Sequence, residues 1–150
     1  MLAVPQPLKE PLAEEVAAFL GQLRGAEDRV LFGQLQTAID QGEVPPELEE
    51  ALARLLRISL ESGRFGRLYG PHAEAAARRL YLATEPGRQL QAQVEQINQA
   101  LAVWQGRPLQ AVQLHVRGPG AYTLELEGQG VRTVLVFDAQ GVRLQGLEAS

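Results

Sequence analysis

Arg64, Arg67, Tyr69 and His72 fall within nine residues, in and just after a stretch bounded by Gly63 and Gly70. Two guanidinium groups, a phenol and an imidazole at that spacing form a set that could hold an anion. The stretch leads into a helix predicted to start at Pro71, where free backbone N–H groups favour a phosphate or a carboxylate. Tyr69 and His72 could add hydrogen bonds, or an aromatic face for a base. The competing reading is structural: these arginines pair with acidic helices nearer the amino terminus, or solvate their own surface.

Charge along the chain bears on both readings. Residues 1–50 carry three basic and ten acidic side chains, net −7, whereas residues 51–90 carry seven and three, net +4. The remainder is net −1, which leaves the chain at −4. The basic block is Arg54, Arg57, Arg64, Arg67, Arg78, Arg79 and Arg88. An acidic chain without an RNP motif, a zinc finger or a basic stretch interleaved with aromatics disfavours nucleic acid as the partner.

Covalent chemistry has little to work with. The chain contains no cysteine, which excludes thiol nucleophiles, CxxC redox pairs, iron–sulfur clusters and the common structural zinc sites. Thirteen of its 14 basic residues are arginine, and Lys9, the one lysine, lies beside Pro11 with no phosphate-loop or Schiff-base setting. His72-Ala73-Glu74 matches the HxE of zinc deaminases, but that chemistry also needs the two cysteines of PCxxC. His72 and His115 are the only histidines, too few for a His-rich metal site, so neither metal nor cofactor is expected.

No GxSxG elbow occurs, and Ser59, Ser62 and Ser150 are the only serines. Ser59 is expected to pack within its helix and Ser62 to sit at a helix end. The pairs Glu14-Glu15 and Glu49-Glu50 read as polar helix faces, and Glu125/Glu127 as an exposed strand face. Gly118/Gly120 and Gly128/Gly130 precede strands rather than helices, so they are hairpin turns and not dinucleotide loops.

The elements that must position these groups are helical in the first two thirds. Leu12, Val16, Phe19, Leu20 and Leu23 share one helical face, with Pro11 in the first turn and Gly25 at the end. A second helix is predicted over Glu27 to Asp40, with Leu31, Leu35, Ala38 and Ile39 on one face, closed by Gly42. After Pro45-Pro46, a third carries Leu48, Leu52, Leu55, Leu56 and Ser59 and ends near Gly63. Gly63 to Gly70 reads as a loop and a hinge. Pro71 opens a fourth helix with Ala73, Ala76, Ala77 and Leu80 on one side, which Glu85-Pro86-Gly87 interrupts. Leu90, Val94, Ile97, Leu101 and Trp104 then form the seam of a fifth. Trp104 and Tyr81 are assigned to core or interface packing.

Beyond Gly106-Arg107-Pro108 the apolar period changes to two. Four strands follow, near Val112–Arg117, Tyr122–Glu127, Val131–Phe137 and Val142–Gln145, with short turns between them. Paired residues must share a face, which fixes the register: Val116 with Tyr122, Leu114 with Leu124, Leu124 with Leu135, Glu127 with Arg132, Phe137 with Val142, Leu135 with Leu144. Every apolar row then falls on one face, and the fifth helix is the element expected to cover it. The other face should carry the rows Gln113, Glu125, Val134, Gln145 and His115, Thr123, Val136, Arg143. Val134 and Val136 make the third strand apolar on both sides, so a helix or a second subunit must cover them. A dimer through Val134, Val136, His115 and Arg143 is the preferred expectation.

The expected fold is α+β: about five helices, then a four-stranded antiparallel meander in the order 1-2-3-4, packed on helix. Residues 1–150 are read as a single domain, with the helical part over about 8–105 and the meander over about 110–147. No purely apolar run exceeds five residues, as in Val16 to Leu20, against the ~20 that span a bilayer. With no basic-then-apolar segment at the amino terminus, a cytoplasmic location is expected. The expected function is a non-catalytic interaction module that self-associates. The alternative is an anion-, nucleotide- or nucleic-acid-binding protein or enzyme that uses the arginine-rich stretch 63–72, with a small anionic ligand.

Overall fold

The computed structural model describes residues 1–149 and has the α+β architecture expected from the sequence. The chain forms two compact units, Met1–Arg88 and Gln89–Ser150. The first is helical. It contains α1 (Gln6–Leu20), α2 (Ala26–Gln41), α3 (Glu49–Glu61), α4 (Arg64–Tyr69), α5 (Pro71–Ala83) and the first turn of α6 (Glu85–Leu101). A two-stranded ribbon, β1 (Leu2–Ala3) against β2 (Glu43–Val44), ties the amino terminus to the end of α2. No helix among the described residues is long and apolar enough to cross a membrane.

The core of this unit joins all five of its complete helices. Leu8, Leu12, Val16, Phe32, Leu35, Ile39, Leu52, Leu56 and Phe65 are wholly buried, and Ala77 and Leu80 of α5 complete the cluster. Several boundaries differ from expectation, among them the end of α1, which stops at Leu20 before Leu23 and Gly25. Helix α1 begins five residues before Pro11, with Pro7 near its start and Pro11 inside it. Leu8 and Leu12, four apart on one face, supply enough buried apolar surface to hold that turn although Pro11 has no N–H to donate. The stretch from Gly63 to Gly70 is not a loop or a hinge. It is the short helix α4, set between two glycines with positive φ (72° and 90°) that let the chain reverse at either end. Phe65 anchors it in the core.

Glu85-Pro86-Gly87 does not interrupt a helix but forms the first turn of α6. The Thr84 hydroxyl oxygen accepts the Gly87 N–H at 3.2 Å, a side-chain N-cap. At Gly87 the backbones approach so closely that a Cβ would lie 2.0 Å from the Tyr81 carbonyl oxygen and 2.6 Å from the Leu82 Cα. Only glycine fits there.

The second unit holds the rest of α6, a 3-10 turn at Ala102–Trp104, and β3 (Ala111–Gly118), β4 (Ala121–Gly128), β5 (Val131–Asp138) and β6 (Gly141–Ala149). The sheet is an antiparallel meander, β3-β4-β5-β6. All six expected pairs occur, from Val116 with Tyr122 to Leu135 with Leu144. One row differs. A register shift between Val134 and Leu135 places Gly146, not Gln145, opposite Val134. The extra residue is a β-bulge, and it lets β6 continue to Ala149, beyond the expected end at Gln145. The 3-10 turn after α6 meets the apolar face, where the Trp104 indole N–H donates to Thr133 Oγ1 at 2.9 Å, and Ile97 of α6 is buried.

Candidate functional site

The arginine-rich stretch resolves into a cluster built around a buried carboxylate. Glu15 sits on α1 between Leu12 and Val16 and is 4% exposed. It therefore lies on the apolar face, not the polar one expected for the Glu14-Glu15 pair, whereas Glu14 is exposed as expected. Three groups converge on it. The Ser59 hydroxyl on α3 donates to Oε2 at 2.7 Å, Arg64 Nε on α4 reaches both oxygens at 3.1 and 3.2 Å, and the Tyr69 hydroxyl lies 3.0 Å from Oε1. Tyr69 is also 3.1 Å from Glu14 Oε2. Burial pushes the Tyr69 phenol well above its ordinary ionisation range, and the neighbouring Glu15 and Glu14 carboxylates push it further.

These contacts show what each expected anion-site residue does. Arg64 and Tyr69 do grip an anion, but it is the carboxylate of Glu15 from the same chain. Arg67 and His72 are exposed, and among the described residues no hydrogen bond or ion pair engages their side chains. The four are close in sequence, yet the structure gathers only two of them.

Three more arginines of the basic block, Arg54, Arg78 and Arg88, also find partners within the chain. Arg54 stacks over the rings of Phe19 and Phe32, 5.6 and 5.8 Å from their centroids, with Asp28 at 3.9 Å. Arg78 pairs with Glu74 one turn earlier on α5. Glu49, expected on a polar face, is buried at the start of α3; its Oε2 accepts the Glu85 backbone N–H at 2.9 Å and faces Arg88 at 3.4 Å. That carboxylate caps the amino-terminal end of α6 from outside. Glu15 and Glu49 were both missed because a carboxylate buried by distant partners looks like any surface glutamate. The available signal was position: Glu15 falls on the same helical face as Leu12 and Phe19.

In the second unit the structure brings three of the four expected interface residues into one row, His115–Thr123–Val136–Arg143, with the fourth, Val134, in the next row. Val134 and Val136, however, are 8% and 4% exposed in the single chain. The polar residues around them are occupied. His115 Nε2 lies 3.6 Å from Glu125, Arg132 donates to Glu125 at 2.9 Å, and Arg143 pairs with Asp138.

The opposite face is the open one. Val112, Leu114 and Val116 alternate along β3 and are 53%, 65% and 75% exposed, with Tyr122 and Phe137 continuing the row beside Val116. A helix is about 10 Å across, whereas four strands at about 4.8 Å spacing present a wider sheet. Thr133 and Leu135 of β5 are buried in the middle of this face, whereas β3 at one edge is bare and Leu144 and Leu147 of β6 at the other are 39% and 45% exposed. Among the described residues no group of His, Cys, Asp and Glu is arranged to hold a metal ion. Compared with known protein families, with curated proteins and with solved structures, the chain matches none.

Proposed function

We propose that this chain is a non-catalytic interaction module that associates with a second copy of itself through the sheet of its second unit. The observation that carries this reading is the bare apolar row Val112, Leu114 and Val116 on an edge strand. Burying it would contribute roughly 25 cal/mol for each Å² removed from water. Contiguous apolar surface of this kind marks contact sites more often than it marks free surface. The surface lies on the opposite face from Val134 and Val136, which are buried without a partner.

The non-catalytic part of the reading draws on the first unit. Its buried Glu15 and Ser59 are hydrogen-bonded to each other, and Arg64 and Tyr69 occupy the remaining acceptor sites of Glu15. Sedimentation equilibrium over a range of concentrations tests the proposal. The wild-type chain should dimerise, and Leu114→Glu should shift it to monomer without loss of helical or strand signal. A wild-type chain that stays monomeric at every concentration overturns the reading.

A further inference from the structure

We infer that the partner is held by edge-to-edge antiparallel pairing of β3 with β3 of a second copy, centred on Leu114, so that two four-stranded sheets join as one. This rests on the self-association proposed above and specifies its geometry.

The sheet has two edges, and they differ. Strand β6 carries its bulge in mid-strand, at the shift between Val134 and Leu135, and bulges disrupt further pairing. The irregularity of β3 lies at its far end, between Val116 and Gly118, which leaves Ala111 to Val116 in regular register. Residues Ala111–Gly118 include no proline and no lysine, and Arg117 is the only full charge. Those are the residues that usually blunt an exposed edge.

Antiparallel pairing of a strand with its own copy preserves the side-chain face. Centred on Leu114, it sets Leu114 against Leu114, and Val112 against Val116 in both directions. Every residue from Val112 to Val116 is then opposite another, all within the regular register. On the other face Gln113 meets His115, and no two like charges are opposed. A centre on His115 would instead place the two imidazoles against each other.

Charge complementarity extends one strand further. The regular part of β3 carries His115 on its polar side, and the polar side of β4 carries Glu125 and Glu127. The imidazole and the carboxylate already meet within one chain, His115 Nε2 lying 3.6 Å from Glu125. Gln113 is registered against Glu125. The join therefore sets His115 of one copy in the row of Glu125 of the other, across Gln113, and the contact occurs twice by symmetry.

The absence of cysteine makes the test direct, because any introduced thiol is the only one in the chain. Directly opposed residues on antiparallel strands have Cα atoms about 4.5 to 5.5 Å apart, within the range of a disulfide. Leu114→Cys should oxidise to a covalent dimer. A mixture of Val112→Cys and Val116→Cys chains should cross-link about tenfold faster than either variant alone, since pairing gives those two thiols a high effective concentration. If sedimentation shows a dimer but neither pair cross-links preferentially, the edge pairing is wrong and self-association stands. If the chain is monomeric at all concentrations, both fall.

Discussion

Glu15 shows how a polar residue can belong to a core. Its carboxylate is buried, and hydrogen bonds from Ser59, Arg64 and Tyr69 replace the water it has lost. Removing one donor leaves part of that loss uncompensated, so Ser59→Ala should destabilise the chain by about 1.5–3 kcal/mol, measurable by urea denaturation. Tyr69 adds a pH dependence. Its phenol is held neutral beside two carboxylates, so its ionisation lies higher in the folded chain than in the unfolded one. The stabilisation is complete below about pH 10, the unfolded value, and is lost as pH rises toward the folded value. An ultraviolet titration should therefore show one tyrosinate appearing together with alkaline unfolding, and Tyr69→Phe should remove that component. None of this was legible in the sequence. The partners lie 44 to 54 residues away, and only the chain's long-range contacts bring them to α1.

At the scale of elements the strands were read well and the helix ends less so. Alternating apolar residues and two-residue turns leave little freedom of register, which is why Leu114, Leu124, Leu135 and Leu144 fall in the expected row. The bulge in β6 had a trace that went unused: Leu144 and Leu147 are three apart where strict alternation requires two. Helix α4 was hidden by Gly63, Gly66 and Gly70, although Phe65, Leu68 and Tyr69 have helical spacing. The turn from α5 into α6 depends on Gly87, whose added Cβ would collide with backbone rather than with a movable side chain. Gly87→Ala should therefore cost about 1–3 kcal/mol, the usual range for overpacking. Thermal unfolding would register it as a clear fall in Tm. An unchanged Tm would mean the two helices can separate without cost.

Across the whole molecule, the two charge blocks of the sequence meet inside one unit. Glu15 with Arg64, Asp28 with Arg54 and Glu49 with Arg88 join the acidic first third to the basic middle. For Arg54, Arg64 and Arg88 this is a structural role. The second unit was expected to be finished by one helix over its apolar face, but the sheet is wider than the helix that covers it. The barest part is the strip on β3, more exposed than Leu144 and Leu147 at the other edge, and the proposed function assigns that strip to a second copy. Amide hydrogen exchange of the wild-type chain at several protein concentrations tests this most directly, because pairing must protect β3 itself. Protection over residues 111–116 should rise with concentration while that of β5 stays constant. Exchange in β3 that is fast and independent of concentration would contradict the account.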